Sequence, residues 1–148
     1  MVEEQAVVWE RWAARYARVA IGAAFLSAVA GRFGVWSGHF DWERFVRFIE
    51  RTRALNAFMP ASAIPFLAWA ATIVETTLGL ALIAGVFVRW AALGSALLLA
   101  WFGTAMVFAD GPKSPLDYSV FSASAGALLL ALREKAAARS SSRGADRV

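Results

Sequence analysis

Apolar residues fall in four runs along the chain, separated by short polar stretches. The first covers 16–35, "YARVAIGAAFLSAVAGRFGV", and the second covers 61–88, with "IPFLAWAATIVETTLGLALIAGVFV" as its cleanest part. The third covers 90–109, "WAALGSALLLAWFGTAMVFA", and the fourth covers 116–132, ending in "YSVFSASAGALLLAL". A helix that crosses a bilayer needs ~20 apolar residues at a rise of ~1.5 Å each. The second and third runs meet that length outright. The first meets it only by including Arg32, and the fourth only by starting near Pro115. The pattern predicts an all-α integral membrane four-helix bundle over 16–132.

The stretches between the runs add detail. Residues 41–59, "DWERFVRFIERTRALNAFM", place Trp42, Phe45, Val46, Ile49 and Thr52 on one helical face. Glu43, Arg44, Arg47, Glu50 and Arg51 fall on the other. That amphipathic pattern predicts an interfacial helix between the first and second spans, with Asp41 as its N-cap. A surface helix packed on a soluble partner is the alternative. Pro60 ends this helix, and Pro65 suits the first turn of the next. Little more than Arg89 separates the second and third runs, so a tight hairpin is expected with Arg89 at the membrane surface. "DGPKSPLD" then makes a polar turn, and Asp117 is expected to cap the fourth span. Residues 1–15 form a cytoplasmic segment and 133–148 a basic tail whose last ten residues are expected to be disordered.

Composition supports lipid as the solvent. The apolar share is 59%, against ~45–50% in soluble domains, and only 18% of residues are charged. There is no cysteine, so the chain offers no thiol or disulfide chemistry. No metal site is expected, and the one histidine, His39, reads as an interfacial residue. The net charge of +4 sits mostly at the ends and reads as a topology signal, not a nucleic-acid surface. Arg11, Arg15, Arg18, Arg89, Arg133, Lys135 and Arg139 outnumber Arg44, Arg47, Arg51, Arg53 and Lys113 on the opposite side. Both termini are therefore expected on the cytoplasmic side of the membrane. "AVA" at 28–30 also resembles a signal-peptidase site, but the residues beyond it stay apolar through Trp36.

Glu75 is the residue that points to a site. It stands in a chargeless run from Ala54 to Val88, near the expected bilayer midplane. A carboxylate there costs at least ~2.5–3.5 kcal/mol, so it must face protein, take a proton or find a partner. Ala68, Ala71, Thr72 and Gly79 share its helix face and let another backbone approach. Matching small stripes are Ala23, Ser27 and Gly31 in the first span, and Ser95, Ala96, Ala100 and Thr104 in the third. The fourth offers Ser119, Ser122, Ala123 and Gly126. Arg32 is the other charge at depth. It either reaches Glu75 or snorkels to the outer headgroups. Glu75, Arg32, Thr72 and Ser122 are thus the candidate lining of a polar pocket that takes a quinone or a proton. Structural glue across the bundle is the competing role.

These residues carry a family resemblance. "RVAIGAAFLSAVAGRFG" is similar to the opening of the DoxX family, through Arg18, Gly22, Phe25, Leu26 and Arg32. "VETTLGLALIAGVFVRW" matches its later pattern through Glu75, Gly79, Gly85 and Arg89, and "SPLDYSVFSASAGALL" resembles one subgroup. The resemblance implies a four-helix inner-membrane protein, with some members tied to quinone-linked sulfur oxidation. The expected function is a membrane subunit or anchor of a redox system, in contact with the lipid bilayer and a redox partner. The alternatives are an adaptor that recruits soluble proteins and a small transporter or proton path.

Overall fold

A computed structural model describes the backbone of residues 2–145 and the side chains of residues 5–138. The chain is all-helical. Its helices are α1 (Val2–Arg32), α2 (Trp42–Leu55), α3 (Ile64–Ala84), α4 (Val88–Asp110), α5 (Lys113–Asp117) and α6 (Val120–Ala145). Three of them are long and apolar enough to cross a membrane: α1 from Gln5, α3 with the turn before it, and α4. Phe66, Leu80, Leu97, Trp101 and Phe108 stand exposed on the outside of these helices. Hydrocarbon, not water, is the solvent that accepts such a surface. In α6 the charged Arg133, Glu134 and Lys135 follow Leu132 and cut the apolar run short.

The helices pack α1 on α3 and α4 on α6, and α3 touches α4 while α1 touches α6. One face of α3 carries the burial: Ile64, Ala68, Thr72, Glu75, Gly79 and Leu82. Those steps of three and four residues make a straight seam along a helix. Against it, α1 approaches at Gly22, where a Cβ would lie 2.8 Å from the Gly79 carbonyl oxygen. Leu26 covers Gly79 from the other side. Near the α3–α4 turn, Leu82, Ala91, Ala92, Leu130 and Ala131 form the core, with Ala14 and Ile21 of α1 packed on it. On the α4–α6 seam the Ser124 hydroxyl donates to the Ala96 carbonyl at 2.8 Å, tying a side chain of α6 to the α4 backbone.

Several boundaries differ from those the sequence predicts. α1 starts well before Tyr16 because Glu3 through Arg15 also form good helix. α3 stops at Ala84, since Gly85 takes a left-handed φ of 77° and donates to the Ala81 carbonyl. Val88 and Arg89 therefore belong to α4, where Arg89 lies over the Trp90 ring. α2 ends at Leu55, well before Pro60, because the Asn56 N–H turns back to Thr52 and Arg53. Asp117 does not cap the last long helix. It ends α5 and pairs with Lys113 one turn back. The tail runs on as helix to Ala145, and residues 146–148 lie outside the described residues.

Two ends can be told apart by contacts. Arg51 of α2 pairs with Asp110, so α2 and the end of α4 share one end. Arg18 of α1 lies against Gly85, so the middle of α1 and the α3–α4 turn share the other. Asp41 caps α2 by accepting from the Glu43 N–H at 2.9 Å. Desolvation works against ionising this carboxyl, but hydrogen bonds from the Glu43 and Arg44 backbone and the nearby Arg47 charge outweigh it. Its pKa lies below 3.8.

Candidate functional site

Glu75 is 1% exposed, on the seam of α3 that faces α1. Arg32, the last residue of α1, reaches down to it. Its Nη2 donates to both carboxylate oxygens, at 2.6 and 2.7 Å, and its Nη1 donates to the Thr72 hydroxyl at 3.0 Å. The Thr72 hydroxyl in turn donates to the Ala68 carbonyl at 2.9 Å, which fixes its rotamer. Thr72 and Glu75 are three residues apart, so one guanidinium bridges both. The Phe48 ring of α2 lies over Arg32 with its centroid 3.8 Å from Cζ. The pair is therefore held by three helices: α1 supplies the cation, α3 the anion and hydroxyl, α2 the cover.

An aromatic cluster holds α2 in that position. Phe45 is fully buried, 4.6 Å from Trp69 of α3 and 5.1 Å from Phe33 after α1, centroid to centroid. Trp42 leans on both Phe45 and Trp69. Aromatic pairs at such distances contribute ~0.5–1.5 kcal/mol each beyond area burial. They fix α2 across the mouths of α1 and α3.

Beside the pair lies a groove of about 410 Å³ between α2, α3 and α4. Its walls are apolar, from Leu67, Ala71 and Val74 on α3 to Leu98, Trp101 and Phe102 on α4. Arg32, Thr52 and Asn56 bring polar atoms to the same space. Asn56 is 6% exposed, and its amide nitrogen donates to the Thr52 carbonyl at 2.9 Å. That bond orients the amide and leaves Oδ1 buried without a hydrogen-bond partner. A second groove of about 540 Å³ continues from it past Asn56, Trp101 and Ala105 toward Phe108.

The sequence-derived candidates separate clearly. Arg32, Thr72 and Glu75 come together. Ser122 does not: it is exposed on α6, and Ser124 takes the inward position instead. Arg18 lies at the opposite end, its Nε buried against the α3–α4 turn. Phe48 and Asn56 were missed. Phe48 sits among the amphipathic positions of α2 and Asn56 at its end, and neither carries a signal of its own in the sequence. No group of acidic, histidine or cysteine side chains that could hold a metal exists among the described residues.

The family model described as "Methylamine utilisation protein MauE" matches residues 10–113. The match takes in Arg32, α2, Thr72, Glu75 and the whole of α4, and stops before Asp117 and Ser122. No curated protein and no solved structure matches the chain. The pair and the groove beside it thus lie wholly within the matched region, in a multi-pass membrane protein, and the chain belongs to the MauE family of methylamine utilisation proteins.

Proposed function

We propose that this protein is the membrane subunit of a redox system and that the groove beside Arg32 holds the head of a quinone or quinol. The family description names methylamine utilisation. Methylamine is a reduced one-carbon amine, so drawing carbon or energy from it means oxidising it, and membrane quinones are a natural destination for the electrons. The observation that carries the reading is the groove itself. It is a cleft of the size that takes small ligands, apolar along most of its wall, with Arg32, Thr52 and Asn56 as its polar lining. An isoprenoid tail suits the walls. A quinone carbonyl suits the guanidinium, and a quinol hydroxyl suits the Asn56 amide once its side chain turns Oδ1 into the groove.

In this reading α6 is the fourth span, completing a four-helix bundle in an inner membrane, akin to the DoxX arrangement. It packs along α4, and its apolar length is extended toward α5, whose Pro115 is buried. α2 lies in the interface, and both termini lie on the cytoplasmic side. The adaptor reading has less to stand on. Arg44 and Arg47 of α2 are answered by Asp41, and Arg51 by Asp110. A proton path is also disfavoured, because both carboxylate oxygens of Glu75 are held by one guanidinium.

The test is a titration of detergent-purified protein with a short-chain ubiquinone analogue, oxidised and reduced, read by quenching of Trp101 in the groove wall. Saturable quenching is expected, and Ala105→Phe should abolish it by filling the groove. Asn56→Leu should weaken the quinol about tenfold, the worth of one buried hydrogen bond. Quenching that never saturates, or that Ala105→Phe leaves unchanged, sinks the proposal.

A further inference from the structure

We infer that a cleft at the opposite end of the molecule binds the phosphate of an anionic ligand, with a phospholipid headgroup and free phosphate as its two sources. The cleft has a volume of about 180 Å³ and lies between α1, the start of α4 and α6. At ~30 Å³ per water, that is room for a phosphodiester. Arg11, Arg15 and Arg18 line it from one face of α1, and Arg133 and Glu134 from α6, so four cations face one carboxylate there. Spacings of four and three residues stack the first three along that face.

The charges there are not balanced. Arg133 is answered twice, by Glu10 at 3.1 Å and by Glu134 at 2.7 Å. Arg11, Arg15 and Arg18 have no carboxylate partner among the described residues, and Arg15 only covers the Trp12 ring. The Arg18 Nε is buried without a hydrogen-bond acceptor. That atom is sealed from the cleft as well, so what Arg18 offers an anion is its charge and not this donor. The floor is apolar, with Val88 and Leu130 beside the guanidinium groups. Cations together with the apolar Ala14, Val88 and Leu130 match a phospholipid, and basic pockets between spanning helices suit such headgroups. Position agrees, because Arg18 lies level with the α3–α4 turn, where helices leave the membrane.

Native mass spectrometry of the full chain in mild detergent tests this, with phosphatidylglycerol, phosphatidylcholine and inorganic phosphate as probes. Phosphatidylglycerol should bind at least about tenfold tighter than phosphatidylcholine. Arg11→Gln with Arg15→Gln, both exposed, should weaken phosphatidylglycerol about tenfold to thirtyfold and leave phosphatidylcholine unchanged. Arg15→Glu, which sets a carboxylate among the arginines at an exposed position, should remove the preference with the helix content intact. Displacement of the lipid by millimolar phosphate identifies the free anion as the ligand; resistance to displacement identifies the headgroup. Equal binding of the two lipids, or a preference that survives both variants, overturns the inference.

Discussion

Replacing Arg32 and Glu75 singly and together by leucine tests the centre of the molecule. The two side chains are 11% and 2% exposed and meet at 2.6 Å. With charge centres about 4 Å apart and an effective dielectric of about 20, their attraction is about 4 kcal/mol. Against it stands the cost of carrying each charge into the membrane, ~2.5–3.5 kcal/mol on insertion scales. The two costs come to about 5–7 kcal/mol, and the attraction nears that total only with the Thr72 hydrogen bond and the Phe48 ring, each worth ~1–2 kcal/mol. Remove one, and the other keeps its desolvation cost with nothing to offset it. Each single variant, Arg32→Leu or Glu75→Leu, should therefore lose about 3–5 kcal/mol, while the double variant should fall within about 1–2 kcal/mol of the native chain. Reversible unfolding in mixed detergent–dodecyl sulfate micelles gives all three numbers. The coupling energy from the cycle should be several kcal/mol. Single losses below about 1 kcal/mol would show the pair to be wet. A double variant as damaged as the sum of the singles would refute the claim that the two charges exist for each other.

Three further outcomes follow from the packing and the caps. Gly22→Ala drives a Cβ to 2.8 Å from the Gly79 carbonyl oxygen, so α1 must lift from α3 at a cost of about 1–3 kcal/mol, read from the same unfolding midpoint. Asp41 has a folded pKa below its unfolded value near 3.8, so its contribution to α2 is present above that pH and is lost as pH falls through the folded value. Amide exchange at Glu43 and Arg44 should accelerate on acidification, and Asp41→Asn should flatten the response. Asp110→Asn breaks the ion pair with Arg51, and exchange along the last turn of α2 should rise while α3 is unchanged; equal protection in both proteins would show that the aromatic cluster alone holds the helix.

Some of this was legible in the sequence, and the reasons differ by residue. Chargeless runs around Glu75 and Leu97 announce helices in lipid because the cost of a stray charge there is large. Asp41 announces its cap because few side chains can accept from an N–H two residues on. The seam of α3 was readable as well, since Glu75 itself marks the protected face. The other helices have no such marker. On α1 the sequence suggests Ala23, Ser27 and Gly31, whereas Gly22 and Phe25 are buried. On α6 it suggests Ser122, whereas Ala127, Leu130 and Ala131 are buried. Small residues are frequent all round an apolar helix, so composition gives the helix but not its rotation. The partner for Glu75 was half legible. Arg32 was visible as a second charge at depth, but its direction depends on Phe48, a residue whose role appears only when α2 is placed. Asn56 escapes a sequence reading altogether, because an unpartnered oxygen is a property of packing.

The Phe48 ring over the Arg32 guanidinium has one more consequence. α2 has charged residues on its outer side and a single ring on the most buried ion pair among the described residues. Pulling that helix outward by a few ångströms would remove the cover α2 gives the pair and widen the groove beside Arg32. An event on the outer side of α2, such as another protein leaning on Arg47 or Glu50, has through this ring a lever on the Arg32–Glu75 pair.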